Sequence, residues 1–405
     1  MLKRETVVLA ILSLMLIVPP TLAAVDRPQN IILFGWDGAQ RDHVKECLSR
    51  KELPNLQKLI DEGVLVEIDI EGTTDTKAGW SQILTGYYPE VTGVYSNGRY
   101  QPIPKGLSIG ERLEKHFGAD NIVTLAVIGK KGHVDADPPK KTKVEDEQET
   151  AKPKEKKANV GTKRVKKTTE GEADKPSTEK PKVTKKKADK DQAAQAKAKK
   201  KQPEGKIVIE DGVKYRVVPG KPHYNMSQNT DLFENGLAKD EKVGTRAIEV
   251  IEQYKDKPFF LFVHFAEVDH SGHQNGENSQ QYNDALISND LWTGKIMDKV
   301  RELGLGGKTQ FYVTADHGFN EDGKGHSFAP YVLLATNNKS VNRNGRRQDV
   351  APTILEAFGL DLSKLEPRLD GISLTKPDKR PPAKISPPAQ KKPAQTKKKA
   401  AKTQT

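Results

Sequence analysis

Four short runs of almost unbroken apolar character set the first constraint on this chain: NIILFGW (30–36), NIVTLAVIG (121–129), PFFLFVHF (258–265) and TQFYVTA (309–315). A strand with one face in water alternates apolar and polar residues. Runs like these suit strands covered on both faces, the usual condition of a parallel sheet. Helical periodicity fills the gaps between them, at 41–48, 56–60, 109–117, 243–254, 285–303 and 350–358. Strands alternating with helices predict an α/β fold, a three-layer sandwich around a mostly parallel central sheet.

Composition has to be divided before it says anything about that domain. The whole chain is only 35% hydrophobic and carries a net charge of +12, values that by themselves suggest a basic chain without a packed core. The charge is local. Lys140 to Lys201 holds 22 basic and 11 acidic residues, and Lys379 to Thr405 holds nine basic and no acidic ones, so the rest of the chain is acidic. The Lys/Ala/Pro/Thr/Glu mixture has no aromatic residue and little apolar periodicity to offset chain entropy. The sequence therefore predicts one folded domain at 25–133 and 207–375, interrupted by a disordered Lys-rich insertion at 134–206 and followed by a disordered basic tail at 376–405. That leaves about 290 residues for one core, ample for a single large domain.

The N-terminus reads as an export signal at 1–24. MLKRE supplies positive charge, Val7 to Val18 is apolar, and PPTLAA ends in small residues suited to cleavage after Ala23 or Ala24. The apolar run is too short to span a bilayer, which predicts no transmembrane span in the mature chain and an exported protein, periplasmic, envelope-bound or extracellular. The single Cys47 excludes an internal disulfide.

Ligands of such folds gather beyond the carboxyl ends of the strands, and three of the four runs end in acids or histidines. The first delivers Asp37, the third leads to Asp269 and His273, and the fourth delivers Asp316 and His317, with His326 nine residues on. Each alone reads as a turn or a satisfied polar residue. Together, three aspartates and three histidines at one sheet edge point to metal ligation, with mixed Asp/His donors suiting zinc and leaving manganese or another first-row ion open. Six such donors divide into two sites, and paired ions about 4 Å apart serve phosphoryl transfer.

A candidate nucleophile lies in GTTDTKAGWSQILTGYYPEVTGVYSN (72–97). Its pattern of Thr76, Ser81, Thr85-Gly86, Tyr88-Pro89, Gly93 and Asn97 resembles the nucleophile segment of the alkaline phosphatase superfamily, and most nearly that of the type I phosphodiesterase/nucleotide pyrophosphatase family. The resemblance extends to DGAQRDHV, LPNLQKLIDEGV (53–64), the Asp-x-x-x-His and Asp-His-Gly motifs and DVAPTILEAFGL (349–360), and spans about 29–373 apart from the insertion. It implies an alkaline-phosphatase-like sandwich holding two divalent ions. By similarity, Asp37, Thr76, Asp316 and His317 would surround one ion, and Asp269, His273 and His326 the other. Thr76 would be the nucleophile, forming a phosphothreonine, and Asn97 would hold a non-bridging phosphate oxygen.

Two departures bear on substrate. Pyrophosphatase-type members usually have Phe-Pro-Asn-His after the threonine, where this chain has Lys77-Ala78-Gly79-Trp80. Some monoesterases of the superfamily carry a Lys-x-Arg pair where this chain has GKKGH, and Lys130 and Lys131 read as solvated loop lysines. The expectation is a phosphodiesterase, with a phosphomonoesterase as the alternative. A sulfatase needs a Cys/Ser-x-Pro-x-Arg motif, and Cys47 sits in CLSRK; phosphoglycerate mutase or phosphopentomutase chemistry is cytosolic, against the export signal. A polyanion-binding protein on an inert enzyme fold would have lost a ligand, and none is lost. The basic insertion and tail leave contact with a polyanion open, whereas the lack of interleaved aromatics argues against sequence-specific nucleic-acid recognition.

Overall fold

A computed structural model describes residues 27–144 and 205–385. Residues 1–26, where the export signal was expected, residues 145–204 of the insertion and residues 386–405 of the tail lie outside the described residues. The strands are β1 (Asn30–Trp36), β2 (Val64–Asp69), β3 (Val123–Ile128), β4 (Lys140–Lys143), β5 (Lys206–Glu210), β6 (Val213–Val218), β7 (Leu232–Asn235), β8 (Phe259–Phe265), β9 (Thr309–Thr314), β10 (Tyr331–Thr336) and β11 (Gly345–Arg346).

Eight of them form one sheet in the order β11-β2-β10-β9-β1-β8-β3-β7. All four runs singled out in the sequence are strands of this sheet, adjacent in the order β9-β1-β8-β3 and paired parallel. Every residue of β1, β3 and β8 is buried, which is why their sequences do not alternate. β10 alone among the eight runs antiparallel to its neighbours β9 and β2.

Helices cover both faces. Arg41–Ser49, Pro54–Glu62, Asp240–Tyr254, Glu267–Asn275 and Gln280–Glu302 pack among themselves on one side. Thr76–Thr85, Ile109–Phe117 and Val350–Ala357 do so on the other, and β3 is sandwiched between Asp240–Tyr254 and Ile109–Phe117. This is the expected three-layer, mostly parallel architecture. Helix Ile109–Phe117 begins with a capping box in which Ser108 and Glu111 bond each other's backbone N–H groups, a signal legible in the sequence as Ser-x-x-Glu.

The domain boundaries differ from the sequence expectation at both ends. The insertion was expected from 134, but Val134 is buried in the core and Lys140–Lys143 forms β4. The described residues of the unit Pro139–Gly220 hold a three-stranded antiparallel sheet ordered β4-β6-β5. Backbone pairing holds β4 although all four of its side chains are exposed, so apolar pattern could not announce it. The tail was expected from 376, yet Arg380 donates to both oxygens of the buried Asp349 at 2.8 and 2.7 Å. An ion pair to a buried carboxylate ties the chain down there without an apolar residue. Among the described residues, no helix is long and apolar enough to cross a membrane.

Candidate metal centre and nucleophile

Four adjacent parallel strands deliver their following loops to one edge of the sheet, and the polar residues gather there. Asp37 follows β1, Lys130 and His133 follow β3, Asp269 follows β8, and Asp316 and His317 follow β9. Helix Thr76–Thr85 packs with its first turn against this edge. Its approach requires Gly79, where a Cβ would lie 2.7 Å from Asp316 Cβ and 3.0 Å from Arg347 Nη1, and Gly35 of β1, where a Cβ would lie 2.4 Å from the Trp80 ring.

Among the described residues, three groups of side chains present donor atoms close enough to share an ion: Asp37, Asp316 and His317; Asp269, His273 and His326; and Asp37, His133 and His264. The first two are the ligand sets implied by the resemblance. Thr76 joins the first, its Oγ1 3.1 Å from His317 Nε2. The structure thus brings Asp37, Thr76, Asp269, His273, Asp316, His317 and His326 together, while Asn97 lies beside Thr76.

The donors are prepared for cations. Asp37 Oδ1, Asp269 Oδ1, Asp316 Oδ2 and His326 Nδ1 are buried without a hydrogen-bond partner, a costly arrangement unless a further partner arrives. His317 Nδ1 donates to the Gly318 carbonyl at 3.0 Å and His273 Nδ1 to the Lys324 carbonyl at 2.9 Å. A carbonyl only accepts, so the proton is on Nδ1 and each Nε2 lone pair faces the cluster. The His326 ring stacks on His317 with centroids 3.8 Å apart. Burial, with His317 beside it, lowers His326 to about 4, so it is a neutral donor at ordinary pH. These residues fit divalent ions: hard carboxylate oxygens and borderline imidazole nitrogens converge on one place, several of them with no other partner.

The carboxylates perturb one another. Burial, then Asp37 and Asp269, push Asp316 well above the usual carboxylate range, as expected for three acids sharing one site. Burial and Asp37 oppose ionisation of Asp269, but the adjacent His273, whose Nε2 lies 3.2 Å from Oδ1, then His317 and Lys130, carry it below that range. Burial opposes ionisation of Asp37 too, and the charge and hydrogen bonds of His133 and His264 outweigh it.

Three residues at this edge escaped the sequence reading. His133 Nδ1 and His264 Nε2 approach Asp37 Oδ2 at 2.7 and 2.9 Å and each other at 3.2 Å, leaving Oδ1 for the cluster. His264 sits inside the apolar run of β8 and reads as a core residue; only the register, which places it opposite Gly35, carries it to Asp37. Lys130 corrects the expectation of a solvated lysine: its ammonium donates to Asp269 Oδ2 at 2.7 Å. Lys131 is exposed. Behind the site the fully buried Arg347 donates to the carbonyls of Asp316 (2.7 Å) and Thr73 (2.8 Å) and to Gln82 Oε1 (3.1 Å), joining the β9 loop to the Thr76 segment.

Residues 31–332 match the family model described as type I phosphodiesterase / nucleotide pyrophosphatase. Among curated proteins, the phosphopentomutase of Carboxydothermus hydrogenoformans is 30% identical over 171 residues, 40% of this chain and 42% of that protein. The bis(5'-adenosyl)-triphosphatase ENPP4 of Homo sapiens is 34% identical over 95 residues, 23% of this chain and 18% of that protein. The chain thus spans less than half the length of these curated relatives. Among solved structures, a protein in the alkaline phosphatase superfamily from Vibrio parahaemolyticus is 16% identical with a TM-score of 0.49, over 87% of this chain and 70% of that one.

Proposed function

Since the chain belongs to the type I phosphodiesterase / nucleotide pyrophosphatase family, we propose that it hydrolyses phosphate esters, phosphodiesters above all, with Thr76 as the nucleophile between two divalent ions. The observation that carries this reading is the Thr76 hydroxyl: buried, at the first position of a helix, and 3.1 Å from an imidazole that belongs to a cluster of unpaired carboxylates.

Asp37, Asp316, His317 and Thr76 would hold one ion, and Asp269, His273 and His326 the other. Two such ions, zinc by the donor set, supply the positive charge that makes a threonine alkoxide accessible near neutral pH and that balances charge on the leaving oxygen. Thr76 Oγ attacks phosphorus in line, the P–O bond to the leaving group breaks, and a phosphothreonine forms. Water then attacks the same phosphorus from the vacated side and Thr76 recovers its hydroxyl. The positive end of helix Thr76–Thr85 lies at Thr76, where it favours a phosphoryl group. Asn97 Oδ1 is occupied by the Lys77 backbone N–H at 2.9 Å, so its Nδ2 is the donor left for a non-bridging oxygen. His133 and His264 hold Asp37 Oδ2, and Arg347 holds the backbone on both sides of the reacting atoms.

Lys130 favours a second reading, phosphomonoester hydrolysis, because a cation fixed over Asp269 matches the additional negative charge of a monoester dianion. The chain is further proposed to act after export, with its basic insertion and tail in contact with polyanions.

The test is a quenched single turnover with a 32P-labelled aryl phosphodiester. Phosphate trapped on Thr76, and a Thr76→Ala protein that folds and keeps its metal but loses about 10³-fold or more in kcat, are expected. Label on any other residue overturns the assignment.

A further inference from the structure

The segment that departs from the family pattern begins with Lys77, which no step above uses. Its side chain is only 10% exposed, and an ammonium is tolerated in such a place only with partners. Nζ donates to Asp137 Oδ1 at 2.7 Å and lies 4.2 Å from the centroid of the Tyr100 ring. The other oxygen of Asp137 accepts the Tyr100 hydroxyl at 2.7 Å, so the carboxylate cannot turn without losing both bonds. Tyr100 is fixed in turn by Lys221, whose ammonium donates to its carbonyl at 2.7 Å.

Asn97 is exposed, in the turn Ser96-Asn97-Gly98, and a turn of this kind is free to move unless it is held. Here the residues flanking Thr76 hold it. The Asn97 N–H donates to Asp75 Oδ2 at 2.8 Å, the Lys77 N–H donates to Asn97 Oδ1 at 2.9 Å, and the Lys77 ammonium reaches the Asn97 carbonyl at 3.4 Å. A backbone N–H fixes which amide atom is oxygen, so Nδ2 faces away from Lys77 as a free donor. The ammonium that completes this grip is the one clamped by Asp137 and Tyr100.

We infer that Lys77, locked by Asp137 and Tyr100, is a positioning residue that sets the Asn97 amide for the phosphoryl group on Thr76. The lysine that replaces the family's usual residue anchors the phosphate-oxygen donor from behind, with no contact to the substrate required of it. This rests on the role proposed for Asn97.

A double-mutant cycle on the full, metal-loaded chain tests it, reading kcat/KM for bis(4-nitrophenyl) phosphate and the inhibition constant of inorganic phosphate. Asn97→Ala should lower kcat/KM about 10²-fold, as removal of one preorganised donor does, and Lys77→Met about tenfold through misplacement of that donor. Both should weaken inhibition by phosphate. In the Asn97→Ala background Lys77→Met should then cost less than about twofold, because coupled residues are not additive. Tyr100→Phe, which frees Asp137 Oδ2 without removing the lysine, should show the same dependence on Asn97 with a smaller loss, and serves if Lys77→Met does not fold. Penalties that add undiminished onto Asn97→Ala, or variants with unchanged kinetics, overturn the positioning role alone. Full activity in Asn97→Ala overturns the role of Asn97 and the inference together.

Discussion

Replacing Lys130 by methionine should move metal affinity and substrate choice in opposite directions. The ammonium lies 2.7 Å from Asp269 Oδ2, and the aspartate side chain is 2% exposed while the lysine is 45% exposed. Two unit charges about 4 Å apart attract by about 4 kcal/mol at an effective dielectric constant of about 20, whereas fully exposed pairs are worth under about 1 kcal/mol. A half-exposed lysine on a buried carboxylate lies between, about 2 kcal/mol, which is about 30-fold in an equilibrium or rate. The same positive charge repels a cation at Asp269, His273 and His326. The variant should therefore bind zinc more tightly, by about tenfold, in competition with a chromogenic chelator. It should lose about 30-fold in kcat/KM on the dianion 4-nitrophenyl phosphate but only about threefold on the monoanion bis(4-nitrophenyl) phosphate, because the additional charge is what the lysine would meet. Zinc affinity that stays constant or falls, with an unchanged ratio between the two esters, would refute the reasoning and return Lys130 to the status of a solvated loop lysine.

Metal removal should cost both activity and stability. Elemental analysis of purified protein should give two divalent ions per chain, and chelation should abolish turnover reversibly and lower Tm, since the buried carboxylates lose their compensation; one ion, or full activity after exhaustive chelation, contradicts the two-ion reading. A pH effect should appear away from the site. Burial opposes protonation of His43, but its contacts with Cys47 and with Glu277 (2.7 Å) raise it to about 10. A raised folded-state pKa gives stability that is fully present below the unfolded value near 6.5 and lost as pH rises through about 10. Urea denaturation between pH 6 and 10 should show falling stability in the wild type and a flatter profile in His43→Gln; parallel profiles would exclude the linkage.

What the sequence by itself determined was local. Continuous apolar runs announced β1, β3, β8 and β9 because strands buried on both faces have no solvent side to mark, and the ends of β1, β8 and β9 located Asp37, Asp269, Asp316 and His317 because parallel strands expose their carboxyl ends at one edge. Thr76 and Asn97 were legible through the resemblance of one segment to the family's nucleophile segment. β2 was not, since four of its six residues are only partly buried; β10, YVLLAT, is an apolar run of the same kind that was passed over. Tertiary structure decided the rest. His264 is one more residue of an apolar strand until register sets it against Gly35, 229 positions from its partner's neighbourhood in no local pattern that periodicity reads; His133 and Lys130 are loop residues until the β3–β8 pairing brings their loop over Asp37 and Asp269. Lys77 is a departure from the family pattern with no assigned partner until Asp137, from that same loop, closes over it. Side-chain chemistry and spacing travel with the chain, but which charges meet depends on strand order and register, and these are fixed by packing between residues far apart in sequence.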